Sequence, residues 1–88
     1  MAKAMAMRED KFATLDSTAR ILWGRLRAWR TDIAKKHSVP AYVVLHDATL
    51  EELVRLRPQT ESELRQVPGI AKRKLAIYGD HLLEILRV

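Results

Sequence analysis

The sequence predicts an all-α fold: a compact bundle of about five helices, with long first and last helices and short helices between them. Three observations carry this prediction. Apolar residues recur three and four positions apart along two long stretches, as they do on helices that bury one face. Three prolines, one of them in a Pro-Gly pair, cut the remainder into short segments. The only apolar run with strand character, Ala41-Tyr42-Val43-Val44-Leu45, has no second candidate strand to pair with. An unpaired strand leaves its backbone groups unsatisfied, so the run reads as a short helix or turn packed into the core.

Each element has its own justification. Residues 1–15, rich in Ala, Met and charge, read as a linker or flexible N-terminal extension, with the domain over 16–88. The first long helix is expected from Asp16 or Ser17 to Lys36. Asp16-Ser17-Thr18 offers capping oxygens, and Leu15, Ala19, Leu22, Leu26, Trp29 and Ile33 form its stripe. Lys35 and Lys36 favour its last turn, where the helix dipole is negative. Val39-Pro40 ends it, because the residue before proline avoids helical dihedrals. The next helix begins within His46-Asp47-Ala48-Thr49, with Asp47 or Thr49 as cap, and stops before Pro58. Thr49 with Glu52, and Thr60 with Glu63, both fit the S/T-x-x-E capping pattern; the second opens a short helix carrying Leu64 and Val67. Pro68-Gly69 marks a turn. The last helix runs from Ala71 or Lys72 to Leu86 or Val88, with Leu75, Tyr78, Leu82 and Leu86 on one face. Gly79 falls near that face, where a missing side chain permits close helix contact.

Composition and charge bound the function. Eighty-eight residues make one small domain, and 48% hydrophobic with 31% charged residues is globular composition. With no cysteine, the chain has no disulfide framework, cysteine-ligated zinc or thiol nucleophile. No apolar run is long enough to span a membrane. No phosphate-binding loop, dinucleotide-binding glycine motif or H-E-x-x-H pattern is present, and His37, His46 and His81 lack metal-ligand spacing. The expectation is therefore a non-catalytic domain with no cofactor and no metal site. The net charge of +5 favours a polyanionic partner. It is concentrated: residues 20–37 hold six Lys and Arg against Asp32, residues 47–63 are acidic, and residues 64–88 are basic again.

Two segments are candidates for nucleic-acid contact. In Val67-Pro68-Gly69-Ile70-Ala71-Lys72-Arg73-Lys74, a tight turn feeds a helix start that carries three cations. Cations there oppose the helix dipole, so helix stability does not explain them; they suit phosphates, or else form a merely solvated charged turn. Tyr42 follows the basic end of the first helix, and an aromatic beside cations suits stacking on an unpaired base. A core tyrosine with its hydroxyl at the surface is the alternative. Trp23 and Trp29 read as core.

The order of these elements resembles one family. Leu22-Trp23-Gly24-Arg25-Leu26-Arg27-Ala28-Trp29-Arg30, Val39-Pro40-Ala41-Tyr42-Val43-Val44 and His46-Asp47-Ala48-Thr49-Leu50-Glu51-Glu52-Leu53 look like the first half of an HRDC domain, the helicase-and-RNase-D C-terminal module. Pro58, Glu63-Leu64, Val67-Pro68-Gly69-Ile70, Lys74-Leu75 and Tyr78-Gly79 look like its second half. The resemblance implies an auxiliary nucleic-acid-binding domain of a DNA helicase, above all a bacterial RecQ-type one. It also implies single-stranded or branched DNA as ligand, and a contact role for Tyr42. With the charge reading, the expected interface is Arg27, Arg30, Lys35, Lys36, Tyr42, Lys72, Arg73 and Lys74, acting largely without sequence preference. Further expectations are a monomer, contact with the parent helicase core, no membrane association, and a cytoplasmic, nucleoid-associated setting. A protein-docking module and an RNase D-type RNA-binding domain remain alternatives. The family turn often reads G-x-G where this chain has Gly69-Ile70-Ala71, which shifts weight toward the first helix and Tyr42.

Overall fold

A long helix, α1 (Ser17–His37), buries Ala19, Leu22, Leu26 and Ala34 along one stripe and carries cations on the rest of its surface. In the computed structural model, residues 17–87 are described; the expected N-terminal extension, Leu15 and the Asp16 cap lie outside them. Among the described residues four more helices follow and there is no strand: α2 (Ala41–Val44), α3 (Asp47–Leu56), α4 (Glu61–Arg65) and α5 (Lys72–Leu86). The fold is all-α, and the Ala41–Leu45 run is a single helical turn with its last residue extended.

α1 packs on α2, α3 and α5, and α4 packs on α5. Leu22 and Leu26 of α1, Leu50 and Leu53 of α3, Leu64 of α4, and Leu82 and Leu86 of α5 meet in one core with no more than 1% of their surface exposed. Burying one such side chain stabilises the fold by roughly 1.5–3 kcal/mol. The tryptophans join this core from its edge, as the stripe implies: Trp29 and Tyr78 meet in a T-shaped pair at a centroid distance of 5.3 Å, tying α1 to α5. Gly79 is buried against α4, where an added Cβ would lie 3.2 Å from Leu75 Cδ1 and 3.9 Å from Leu64 Cδ2.

The chain reversals follow from a few residues. α1 ends in paired bonds from Val39 N–H to Ala34 O and from Ser38 N–H to Lys35 O, with Ser38 left-handed at φ 55°. This closure usually carries glycine. Thr60 caps α4 by accepting from the Glu63 amide at 3.1 Å, and Glu63 reaches back to the Gln59 amide at 2.7 Å. The other proposed capping pair, Thr49 with Glu52, does not form. α3 starts at Asp47, so His46, rather than Asp47 or Thr49, holds its cap position. Thr49 is buried and its hydroxyl donates instead to Pro68 O at 3.1 Å. Gly69, at φ +94°, lies against that hydroxyl, and a Cβ there would overlap Thr49 Oγ1. Thr49 is therefore the strut beneath the Pro68-Gly69 turn rather than a cap.

Candidate nucleic-acid interface

The helix α2 is one turn long and divides sharply between inside and outside. Val44 and Leu45 are in the core, whereas Tyr42 and Val43 are exposed to 60% and 47%. So short a helix cannot pair its own final carbonyls. Cations from both long helices do so instead. Lys74 Nζ of α5 donates to Val43 O at 3.2 Å and to Val44 O at 2.9 Å. Arg30 Nη1 of α1 donates to Leu45 O at 2.8 Å and pairs with Asp47 Oδ1 at 2.8 Å. Hydrogen bonds to charged donors are worth about 1.5–3 kcal/mol each. The turn that presents Tyr42 is thus clamped from two sides.

This arrangement divides the predicted site residues. Arg30 is 8% exposed, with its Nε buried and unpartnered, so it is withdrawn from the exposed basic surface. The reason is its phase: four positions from both Leu26 and Ala34, it lies on the buried stripe. Lys74 is half-buried and bonded to α2, which makes it a supporting residue as well. Arg27 remains on the surface, its guanidinium 5.8 Å from the centroid of the Trp23 ring. Lys35 and Lys36 stand exposed in the last turn of α1, which Ser38-Val39-Pro40 joins to α2. Lys72 and Arg73 are exposed in the first turn of α5. Lys72 lines a groove between α4 and α5 with Glu61, Arg65 and Asp80, which dilutes its positive charge. The two basic segments of the chain therefore meet at α2, through Arg30 of α1 and Lys74 of α5.

Tyr42 does not stand alone. Its ring lies nearly parallel to that of His46, 24° between planes and 6.1 Å between centroids. His46 occupies the cap position of α3 but makes no side-chain capping bond. The two rings border an open hollow of about 520 Å³ that Arg30, Ala41, Asp47 and Ala48 also line. Sequence reasoning missed His46 and Asp47 as parts of this surface. The spacing of four between Tyr42 and His46 was a signal for the first; nothing local foretold the Arg30–Asp47 pair. Ala71, which replaces the second glycine of the family turn, has φ −85°, a conformation open to any residue. Among the described residues no three His, Asp or Glu side chains gather as a metal site would need, and no helix is long and apolar enough to cross a membrane.

Comparison with known proteins agrees with this architecture. The HRDC domain family matches residues 20–86. The ATP-dependent DNA helicase UvrD2 of Mycobacterium tuberculosis is 43% identical over 63 residues, covering 72% of this chain and 9% of the helicase. The ATP-dependent DNA helicase RecQ of Pasteurella multocida is 35% identical over 66 residues, covering 75% of this chain and 10% of the helicase. Among solved structures, D. radiodurans RecQ HRDC domain 3 superimposes with a TM-score of 0.74 at 34% identity, covering 77% of this chain and 90% of that one. The chain thus spans about a tenth of the helicases it matches. The matched segment, the five-helix order and the α2 turn between two long helices agree: this chain belongs to the HRDC domain family, an accessory domain of RecQ- and UvrD2-type helicases.

Proposed function

We propose that this domain binds single-stranded or junction DNA through the surface around α2 and so holds a helicase on its substrate, without itself catalysing a reaction. The observation that carries the reading is Tyr42, 60% exposed on a clamped turn, beside the basic end of α1. Exposing an aromatic ring to water is unfavourable, and a nucleobase removes that cost by stacking, worth about 1–3 kcal/mol per base. Lys35 and Lys36, with Arg27, Lys72 and Arg73, supply cations for the backbone. Such contacts carry no sequence information, so binding is largely independent of sequence. The relatives are named ATP-dependent DNA helicases, which favours DNA over RNA as ligand and a helicase as the parent protein.

Titration of a labelled single strand of mixed, non-self-complementary sequence by fluorescence anisotropy tests the reading. Affinity is expected to fall steeply between about 50 and 200 mM salt. Tyr42→Ala is expected to weaken binding about fivefold or more, the lower end for one lost stack. Flat salt dependence together with unchanged affinity of Tyr42→Ala would overturn it. A second reading, docking on a protein such as the helicase core, is favoured by Leu56, exposed to 54% at the end of the acidic helix α3. Binding to a helicase core in trans, with no DNA binding at low salt, supports that reading instead.

A further inference from the structure

One group in the hollow beside Tyr42 is not explained by phosphate binding. Asp47 has 74% of its side chain exposed, and a carboxylate there repels a phosphate backbone. It is also held in place: its Oδ1 is 2.8 Å from Arg30 Nη1, and the same nitrogen is bound to Leu45 O. Arg30 is nine-tenths buried, so a guanidinium fixed in the core orients a carboxylate in solvent. Among the described residues, Oδ2 makes no hydrogen bond. Neither do the amides of Asp47 and Ala48, the first two of α3, whereas those of Thr49 and Leu50 both donate to His46 O. The hollow therefore offers a fixed acceptor and unpaired amide donors along the margin of two nearly parallel rings.

We propose, resting on the single-strand reading above, that this hollow takes the Watson–Crick edge of a guanine stacked on Tyr42 and His46. Asp47 accepts from guanine N1–H and the exocyclic N2–H, and a free α3 amide donates to O6. Unpaired bases held on aromatic side chains are commonly read on that edge. Guanine presents two adjacent donors beside an acceptor there. Thymine sets its single donor between two acceptors, which a carboxylate repels, and adenine and cytosine offer one amino donor beside a ring acceptor. The charge of Asp47 also turns the sugar-phosphate away from α3, toward Lys35 and Lys36. One nucleotide in an otherwise indifferent strand is thereby selected.

The test is anisotropy titration of the full chain with four labelled oligothymidylates that each carry one central guanosine, inosine, adenosine or cytidine deoxynucleotide. The guanosine strand is expected to bind about fivefold or more tightly than the adenosine strand, the lower end for one bidentate base contact. The inosine strand, lacking only the N2 amino group, is expected to fall between them with the protein unaltered. Asp47→Asn is expected to abolish the preference. Equal binding of all four strands, still weakened by Tyr42→Ala, would overturn the guanine assignment and leave the single-strand reading standing. A guanine preference that survives Asp47→Asn would overturn the role of Asp47. Failure of every strand to bind would overturn the underlying reading and the assignment with it.

Discussion

Arg27 and Arg30 look alike in the sequence, two arginines three positions apart on one basic helix, yet they have opposite roles. Arg27 stays in solvent over Trp23, whereas Arg30 is buried and holds Leu45 O and Asp47. Removing Arg30 leaves a carbonyl of fully buried Leu45 without its donor. Arg30→Met is expected to destabilise the fold by about 1–3 kcal/mol in urea unfolding. Arg27→Ala is expected to cost at most about 1 kcal/mol, the value of an exposed cation–π contact. Equal losses for the two would refute this division. Gly69 makes a second demand: its φ is +94°, and a Cβ would collide with Thr49 Oγ1, which is bonded to Pro68 O. Gly69→Ala is expected to cost about 2 kcal/mol or more through backbone strain and displacement of Thr49. The identity of Gly69 as a turn residue is legible in the chain; its reliance on Thr49, twenty positions earlier, is not.

The helices themselves were largely readable, because their signals are local. Periodicity marked α1, α3 and α5, Pro40 and Pro58 marked breaks, and Thr60 with Glu63 marked the start of α4. Thr60→Ala is expected to lose about 1 kcal/mol in thermal or urea unfolding, the usual value of such a cap. Ser38 offers the reverse case. It closes α1 in a left-handed conformation that L-residues resist, and glycine adopts it freely. Ser38→Gly is expected to stabilise the domain by about 0.5–1 kcal/mol; a loss would mean that the serine side chain has a role of its own. The same local reasoning failed at Thr49, where the capping pattern was present but a long-range partner, Pro68 O, took the hydroxyl. Four-residue patterns report what a side chain is able to bond locally, and packing decides which partner it takes.

For the molecule as a whole, the fold gathers what the chain separates. Its basic segments lie on either side of an acidic stretch in sequence, and the packing of α1 and α5 brings both to α2. If that surface carries a single strand, each phosphate contact contributes about 0.7 to the slope of log affinity against log salt. Lys35→Ala with Lys36→Ala is then expected to lower the slope by about 1.4, while Lys74→Ala lowers stability more than slope. An unchanged slope in the double variant would remove the end of α1 from the interface. The all-α class, the helix order and Tyr42 as a candidate contact were fixed in the sequence, since periodicity, proline and caps act over a few residues. Which cations face solvent, and which hold α2 in place, was set by long-range packing. A charge is available to a ligand only if the fold does not first use it to pair a buried carbonyl, and that depends on residues such as Leu45, Val43 and Val44, fifteen to thirty-one positions away.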